Sequence, residues 1–395
     1  MSDRNFKDWI SAYLKLTEDT EPPETYKTWV AISCIAAVLQ RKVVLSWDND
    51  IYPNMFIVLV GPAGRCRKGT AMNPGYDILS ELGIAMSAEA ITREALIREL
   101  KNAGGKIGGM TVDPRSGVVY THCSLTIYSQ ELSVFLGYNN QNLMADLTDW
   151  YDCRKRWTYR TKTQGSDEIV GVYVNLIGAT TPELIQSTLP LDAIGGGLTS
   201  RMIFVYEDRK GKKCPGAFMT PALRKLKNQL INDLNQIFLL CGEYRISRAF
   251  MDLYIDWYMK LEESTARDGR FAGYFERRPT HLRKLSMICS ASRGDSLILE
   301  AEDFHRALLM LETVERKMPN VFAGVGRNVL AEVMVRVESL IRENKETTYG
   351  TIMNTFSNDL NPRELSMILE SLTRSRKIKI EGIGTTQDPK VRWIL

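Results

Sequence analysis

Apolar positions along the chain change period several times, and each change marks an expected element. Phe6, Ile10, Tyr13 and Leu14 fall at helical spacing, a Pro22-Pro23 break follows, and the apolar stretch 29–39 reads as a second helix. From about 52 to 206, short apolar runs at 55–60, 119–128, 172–177 and 201–206 alternate with helical or turn-rich segments. Short buried strands separated by helices predict an α/β fold with a largely parallel sheet covered on both faces. A Lys- and Gly-rich loop at 208–215 marks a boundary, and helical periodicity then returns across 219–323, around 253–261, 282–291 and 304–310.

The last stretch, from about 328, reads as three helices followed by two β-like runs, 378–381 and 391–395, joined through Gly382, Gly384 and Asp388-Pro389. That order predicts a winged helix-turn-helix. Asn361 would cap the third helix with Pro362 in its first turn, making 363–374 the reading helix. The same shape also serves protein docking, and both uses stay open.

Composition narrows the class. Hydrophobic residues are 44% and charged residues 25% of 395, which excludes a disordered, collagen-like or coiled-coil chain. The apolar run 29–39 is far shorter than the roughly 20 residues that cross a bilayer, so no membrane span is expected. The first residues lack the apolar core of a secretory signal, which points to a cytoplasmic protein. Seven scattered cysteines without a CxxC pair, beside three histidines, read as reduced thiols and not as a zinc site. The net charge of +4 decides nothing, but its distribution does. Between 151 and 165, Arg154, Lys155, Arg156, Arg160 and Lys162 face one acid, Asp152.

The strongest chemical signal is the apolar run 55–60 leading into Gly61-Pro-Ala-Gly64-Arg-Cys-Arg67-Lys68-Gly69-Thr70. A strand ending in a glycine-bearing loop with a lysine and a hydroxyl is how phosphates are cradled: backbone N–H groups wrap them, the lysine neutralises them and the hydroxyl holds Mg²⁺. The usual spacing is altered, since Arg67 precedes Lys68, Gly69 separates it from Thr70, and the loop carries one extra residue. A basic surface turn is the other reading, and Asn73-Pro74 offers a later helix start.

Later strand ends add polar groups. The run 125–129 ends in Gln130-Glu131, where a carboxylate would polarise an attacking water; equally, Glu131 would suit the start of a helix at 132–138. The strand 172–177 continues into Thr180-Thr181-Pro182, with Asn175 and Thr180 as candidate γ-phosphate sensors, or as a turn capping the next helix. Gly195-Gly-Gly-Leu-Thr-Ser-Arg201 presents an arginine that could reach a phosphate held by a neighbouring subunit, or serve a surface ion pair.

The ordered set of phosphate loop, acid, polar sensor and arginine resembles an AAA+ ATPase core. With Tyr52-Pro-Asn54, Gly178-Ala-Thr-Thr-Pro182 and Gly196-Gly-Leu-Thr-Ser-Arg201, residues 5–325 look like the replicative helicase modules of phages and other mobile elements, akin to superfamily-three and minichromosome-maintenance helicases. The resemblance implies a helical collar at 1–50, a P-loop ATPase core at 51–215, a helical lid at 216–327 and a winged helix at 328–395. It further implies a hexameric ring in the host cytosol that hydrolyses ATP with Mg²⁺ between subunits and draws single-stranded or forked DNA through its centre, beside a separate primase or polymerase.

By the same resemblance Gly61, Gly64, Arg67, Lys68, Gly69 and Thr70 would hold nucleotide, Thr70 and Glu131 the metal. Glu131 would activate water, Thr180 or Asn175 would sense, and Arg201 would act in trans. Lys162, Arg160 and Trp157 would grip DNA from a pore hairpin, and Arg278 or Arg283 would sense nucleotide from the lid. A loader or initiator, a non-hydrolysing DNA-binding scaffold and a small-molecule P-loop kinase are the competing readings, the kinase being disfavoured by Arg201 and the basic hairpin.

Overall fold

A computed structural model describes residues 4–105, 109–113, 117–138, 140–161, 165–189, 196–216, 218–261, 269–322, 329–357, 359–382 and 388–394. The chain divides into two compact units, 1–322 and 323–395. The segments expected as collar, core and lid therefore fold together. A small parallel sheet makes the point: Val43–Leu45 pairs with Gly242–Ile246, which pairs with Ile298–Leu299, so strands from the first and third segments share one ladder.

The heart of the first unit is a four-stranded parallel sheet in the order Cys123–Ser129, Val172–Thr180, Phe56–Val60, Met202–Tyr206. Its apolar runs are continuous because both faces are covered, as a parallel sheet requires. Every residue of Phe56–Val60 and Val172–Thr180 is buried. The expected run 119–128 is two strands, since Val119–Thr121 pairs instead with Met110–Val112 in a separate ribbon.

Helix Glu24–Leu39 lies in the core; after a polar first turn it is nearly all apolar, with Trp29 through Leu39 almost wholly buried. Helix Trp9–Leu16 starts at Asp8, whose carboxylate caps the Ser11 N–H at 2.7 Å and pairs with Arg306. Burial opposes that ionised form, but Arg306 and the cap outweigh it and hold the Asp8 carboxyl at about 2.

Two buried histidines tie stability to pH. His281 Nε2 faces the Ser200 carbonyl at 3.1 Å, so it carries the proton, and Nδ1 accepts from the Tyr151 hydroxyl at 3.1 Å. Burial pushes both His281 and His122 down to about 3. In the unfolded chain imidazole takes its proton near pH 6.5, so these groups contribute full stability above that pH and lose it as pH falls toward 3. Each costs up to about 1.4 kcal/mol per pH unit in that window. Urea midpoints between pH 7 and 4.5 should fall steeply, and His281→Gln should remove about half of the slope; an unchanged slope would contradict the neutral-imidazole assignment.

The second unit packs helices Val329–Asn344, Tyr349–Thr355 and Pro362–Arg374 on an antiparallel sheet ordered Glu346–Thr348, Lys390–Trp393, Ile378–Glu381. Val337, Ile341, Ile352, Leu365, Leu372 and Val391 form its core. Asn361 caps the third helix in a reciprocal box with Glu364, at 3.0 and 2.8 Å. The strand Glu346–Thr348 is additional to the sequence expectation; only three residues long and polar, it left no periodic signal.

Candidate functional site

The strand order creates a crevice. After Phe56–Val60 the chain passes over one position to Cys123–Ser129, and after Val172–Thr180 it crosses to Met202–Tyr206 on the other side. Adjacent strands whose connections leave in opposite directions open a cleft beyond their carboxyl ends, the usual ligand position in such sheets. Gly61 leads out of the first of these ends and Thr181 out of the second; the Gly61 N–H donates to the Thr180 carbonyl at 3.3 Å. Gly61 has no substitute, because a Cβ there would stand 2.4 Å from the Glu207 carbonyl oxygen.

The loop turns through left-handed conformations at Gly64 (φ 69°) and Arg67 (φ 55°), and helix Lys68–Glu81 starts at Lys68. The alternative start at Asn73-Pro74 is not used; Pro74 lies inside the helix. No side chain caps this helix and no acid sits in its first turn. Its leading N–H groups and positive dipole end are therefore left for an anion. The Lys68 ammonium, half-buried, donates to the carbonyls of Gly61 at 2.5 Å and Pro62 at 3.4 Å. Burial lowers its pKa, opposed by the nearby charges of Cys66, Glu131 and Glu183. Arg67 is drawn to Glu21 at 2.7 Å, and Thr70 is exposed in the first turn.

Around the loop, the Cys66 thiol donates to the Glu207 carbonyl at 3.1 Å and the Tyr26 hydroxyl to the Val60 carbonyl at 2.7 Å. Glu207 itself is buried, accepting from Thr25 at 2.7 Å and Lys317 at 2.6 Å. Glu183 and Glu207 were absent from the sequence expectation; an acid one residue past a strand or one residue into a helix was the available signal.

Glu131 stands exposed at the end of Cys123–Ser129, at the cap position of helix Leu132–Leu136, with no capping bond from its carboxylate. Gly69 of the loop meets Gln130 at the neighbouring strand end. A Cβ on Gly69 would lie 3.1 Å from Gln130 Oε1, and Gln130 Nε2 donates to Asn73 Oδ1 at 2.8 Å. Glycine at 69 thus leaves room for the Gln130 amide to cross onto the loop helix.

Thr180 is the last residue of its strand, paired with Val60, and its hydroxyl donates to the Thr181 carbonyl at 3.4 Å. Asn175 is not at the crevice. It lies five residues upstream, roughly 16 Å along the strand. There its amide donates to the Ser33 carbonyl and hydroxyl at 3.2 and 3.1 Å and accepts from the Met55 N–H at 3.1 Å. Asn175 ties a core helix to the sheet, and the sensor role is withdrawn.

Arg201 precedes Met202, which pairs with Phe56, so it sits at the strand-start end of the sheet, opposite its own phosphate loop. It is buried, donating to Asp152 Oδ2 at 2.7 Å and to the Gly197 carbonyl at 2.6 Å. Arg278 is committed to Glu315 through two bonds of 2.7 and 2.8 Å, which removes it from the nucleotide contacts. Arg283 stacks over Trp47 at 4.6 Å and donates to the Pro279 carbonyl at 3.1 Å; beside Arg201's end of the sheet, it cannot reach the loop of its own chain.

Strands Arg156–Thr161 and Gly165–Val170 form an antiparallel hairpin. Lys162 lies outside the described residues. Alternation puts Trp157 and Tyr159 on one face, where Trp157 meets buried Trp150 edge-on at 5.4 Å and Arg93 covers Tyr159 at 4.7 Å. Trp157 therefore anchors the hairpin through Trp150 while staying half-exposed. Arg156, Thr158 and Arg160 occupy the other, exposed face.

Among the described residues no group of three or more His, Cys, Asp or Glu side chains could hold a metal, so Mg²⁺ at the loop would rest on Thr70, Glu131 and phosphate oxygens. All seven cysteines are free, and no described helix is long and apolar enough to cross a membrane. Comparison of the chain with protein-family models returns no match, and comparison with curated proteins returns none.

Proposed function

We propose that the first unit is an AAA+-like ATPase and that the whole chain is a ring-forming replicative DNA helicase with a C-terminal winged helix. One observation carries the nucleotide reading: an uncapped, acid-free helix N-terminus with Lys68 beside it, at the switch point of a parallel sheet. Bound ATP with Mg²⁺ supplies the scissile phosphate and its charge neutralisation. Gly61 to Thr70 bind and orient it, Glu131 takes the proton of the attacking water, and Thr180 lines the same crevice.

The ring reading rests on opposed ends. Lys68 and Glu131 occupy the carboxyl end of the sheet and Arg201 the other, so a head-to-tail contact brings an arginine to each crevice. Gln130 in place of a second acid favours, as the alternative, a slow ATPase that loads or remodels DNA. The second unit's three helices and three-stranded sheet support the winged-helix reading, with DNA or a replication protein such as a primase as its partner.

Calorimetry should detect ATP binding to the full chain, particle mass should rise with ATP and single-stranded DNA, and a forked duplex should be unwound. A lone molecule without ATP affinity under all conditions overturns the motor reading; ATPase activity without unwinding selects the loader. Arg160→Ala should weaken single-strand binding uniformly across sequences and reduce the salt slope by about 1. An unchanged slope removes this face of the hairpin from the DNA path.

A further inference from the structure

At the strand-start end of the main sheet, a cavity of about 430 Å³ is walled by residues 47–52, by residues 151–153, and by the side of helix Ala272–Arg293 that carries Arg277, Arg283 and Lys284. Two guanidiniums meet there on one carboxylate, beside a buried ammonium. Arg201 donates to the two Asp152 oxygens at 2.7 and 3.4 Å, and Arg277 Nη1 stands 3.8 Å from Asp152 Oδ1. The Lys284 ammonium donates to Asn54 Oδ1 and lies 4.3 Å from the centre of the Tyr151 ring.

Lys284 is 4% and Arg201 6% exposed; among the described residues no carboxylate forms an ion pair with Lys284, and none besides Asp152 does with Arg201. A buried ammonium answered by a neutral amide, beside two guanidiniums sharing one half-exposed acid, leaves surplus positive charge at the inner end of the cavity. The surplus is felt within the cluster: burial, then the charge of Arg201, lowers Arg277, and burial brings Lys284 down to about 8. Asp48 and Asp50 belong to the turn that forms another wall, where Arg283 balances Asp48.

We propose that this cavity binds a phosphate group, with Arg277 and Lys284 as its cationic ligands and Asp152 as the acid that the phosphate displaces from the arginines. The site is distinct from the phosphate loop and lies at the opposite end of the sheet. Its phosphate comes either from a free polyphosphate or nucleotide, or from a nucleotide presented by an adjoining copy.

The test uses full-length Lys68→Ala protein, in which the loop is disabled, titrated with inorganic tripolyphosphate by calorimetry. One site per chain is expected. Arg277→Ala and Lys284→Met should each weaken it at least about tenfold, the worth of one charge-assisted hydrogen bond. Asp152→Asn should tighten it by about as much, an outcome that a merely structural acid would not produce. Tripolyphosphate binding by a single copy identifies a free ligand; a presented one is identified instead by ATP-driven association of copies with an intact loop that Arg277→Ala and Lys284→Met weaken. No binding in either regime, or an affinity moved by none of the three substitutions, overturns the site. Neither result touches the loop, whose own failure would appear as wild-type ATP affinity surviving Lys68→Ala.

Discussion

Lys68→Ala should abolish ATP hydrolysis and weaken ATP binding by about 100-fold, the value of roughly 3 kcal/mol for a charge-assisted contact to phosphate. The variant should nonetheless fold. Lys68 is half-buried, its charged form is disfavoured by burial, and among the described residues its bonds are to the carbonyls of Gly61 and Pro62 in its own loop. Thermal melting without nucleotide should stay within about 0.5 kcal/mol of wild type, as for changes away from core packing. The separation lies in the ligand response: ATP at 100 times its wild-type Kd stabilises wild type by about 2.7 kcal/mol, and the same concentration, about equal to the variant's Kd, should stabilise the variant by only about 0.4 kcal/mol. A variant that still hydrolyses ATP at the wild-type rate sinks the assignment of the loop.

What could be read in the sequence was local. The strand Phe56–Val60 announced itself in an apolar run, 55–60, stopped by Gly61, and the cap of Pro362–Arg374 was legible because Asn361 and Pro362 are adjacent; Glu364, three residues after Asn361, completes it. What failed was long-range. Arg278 and Glu315 are 37 residues apart, and no helical period links them. Asn175 shows the same limit in another form, since its strand was recognised but its place along it was not used. Counting back from Thr180 in steps of about 3.3 Å would have put it far from the crevice. The contact of Trp157 with Trp150 was recoverable too, because the alternation that exposes Arg160 puts Trp157 on the opposite face of its strand.

The departures at Gly69 and Gln130 teach a different lesson. Gly69 interrupts the usual lysine-to-hydroxyl spacing of a phosphate loop, and Gln130 stands where a second acid would support a metal. In the structure they are neighbours, and the space left by the absent Cβ of Gly69 is where the Gln130 amide passes toward Asn73. A side chain at 69 without a change at 130 would press on that amide from 3.1 Å, so the two positions form one local solution.

Glu131→Gln and Arg201→Ala proteins should each be nearly inactive alone, the arginine loss alone costing about 10³-fold or more, and should recover activity when mixed. The reason is geometric. Arg201 stands at the start of Met202–Tyr206 and Glu131 at the end of Cys123–Ser129, opposite edges of one parallel sheet, so neither can complement the other within a chain. In a head-to-tail ring each crevice draws its acid from one copy and its arginine from the next. An equal random mixture makes about a quarter of its contacts from an intact acid and an intact arginine, so about a quarter of wild-type turnover per site is expected if contacts act independently. Because Arg201 also holds Asp152 and the Gly197 carbonyl, Arg201→Lys serves as a second variant that keeps a buried cation while losing the fork. Mixtures of either arginine variant with Glu131→Gln that stay inactive at every ratio would mean that hydrolysis is not shared between copies, and Arg201 would then be an internal tether of Asp152.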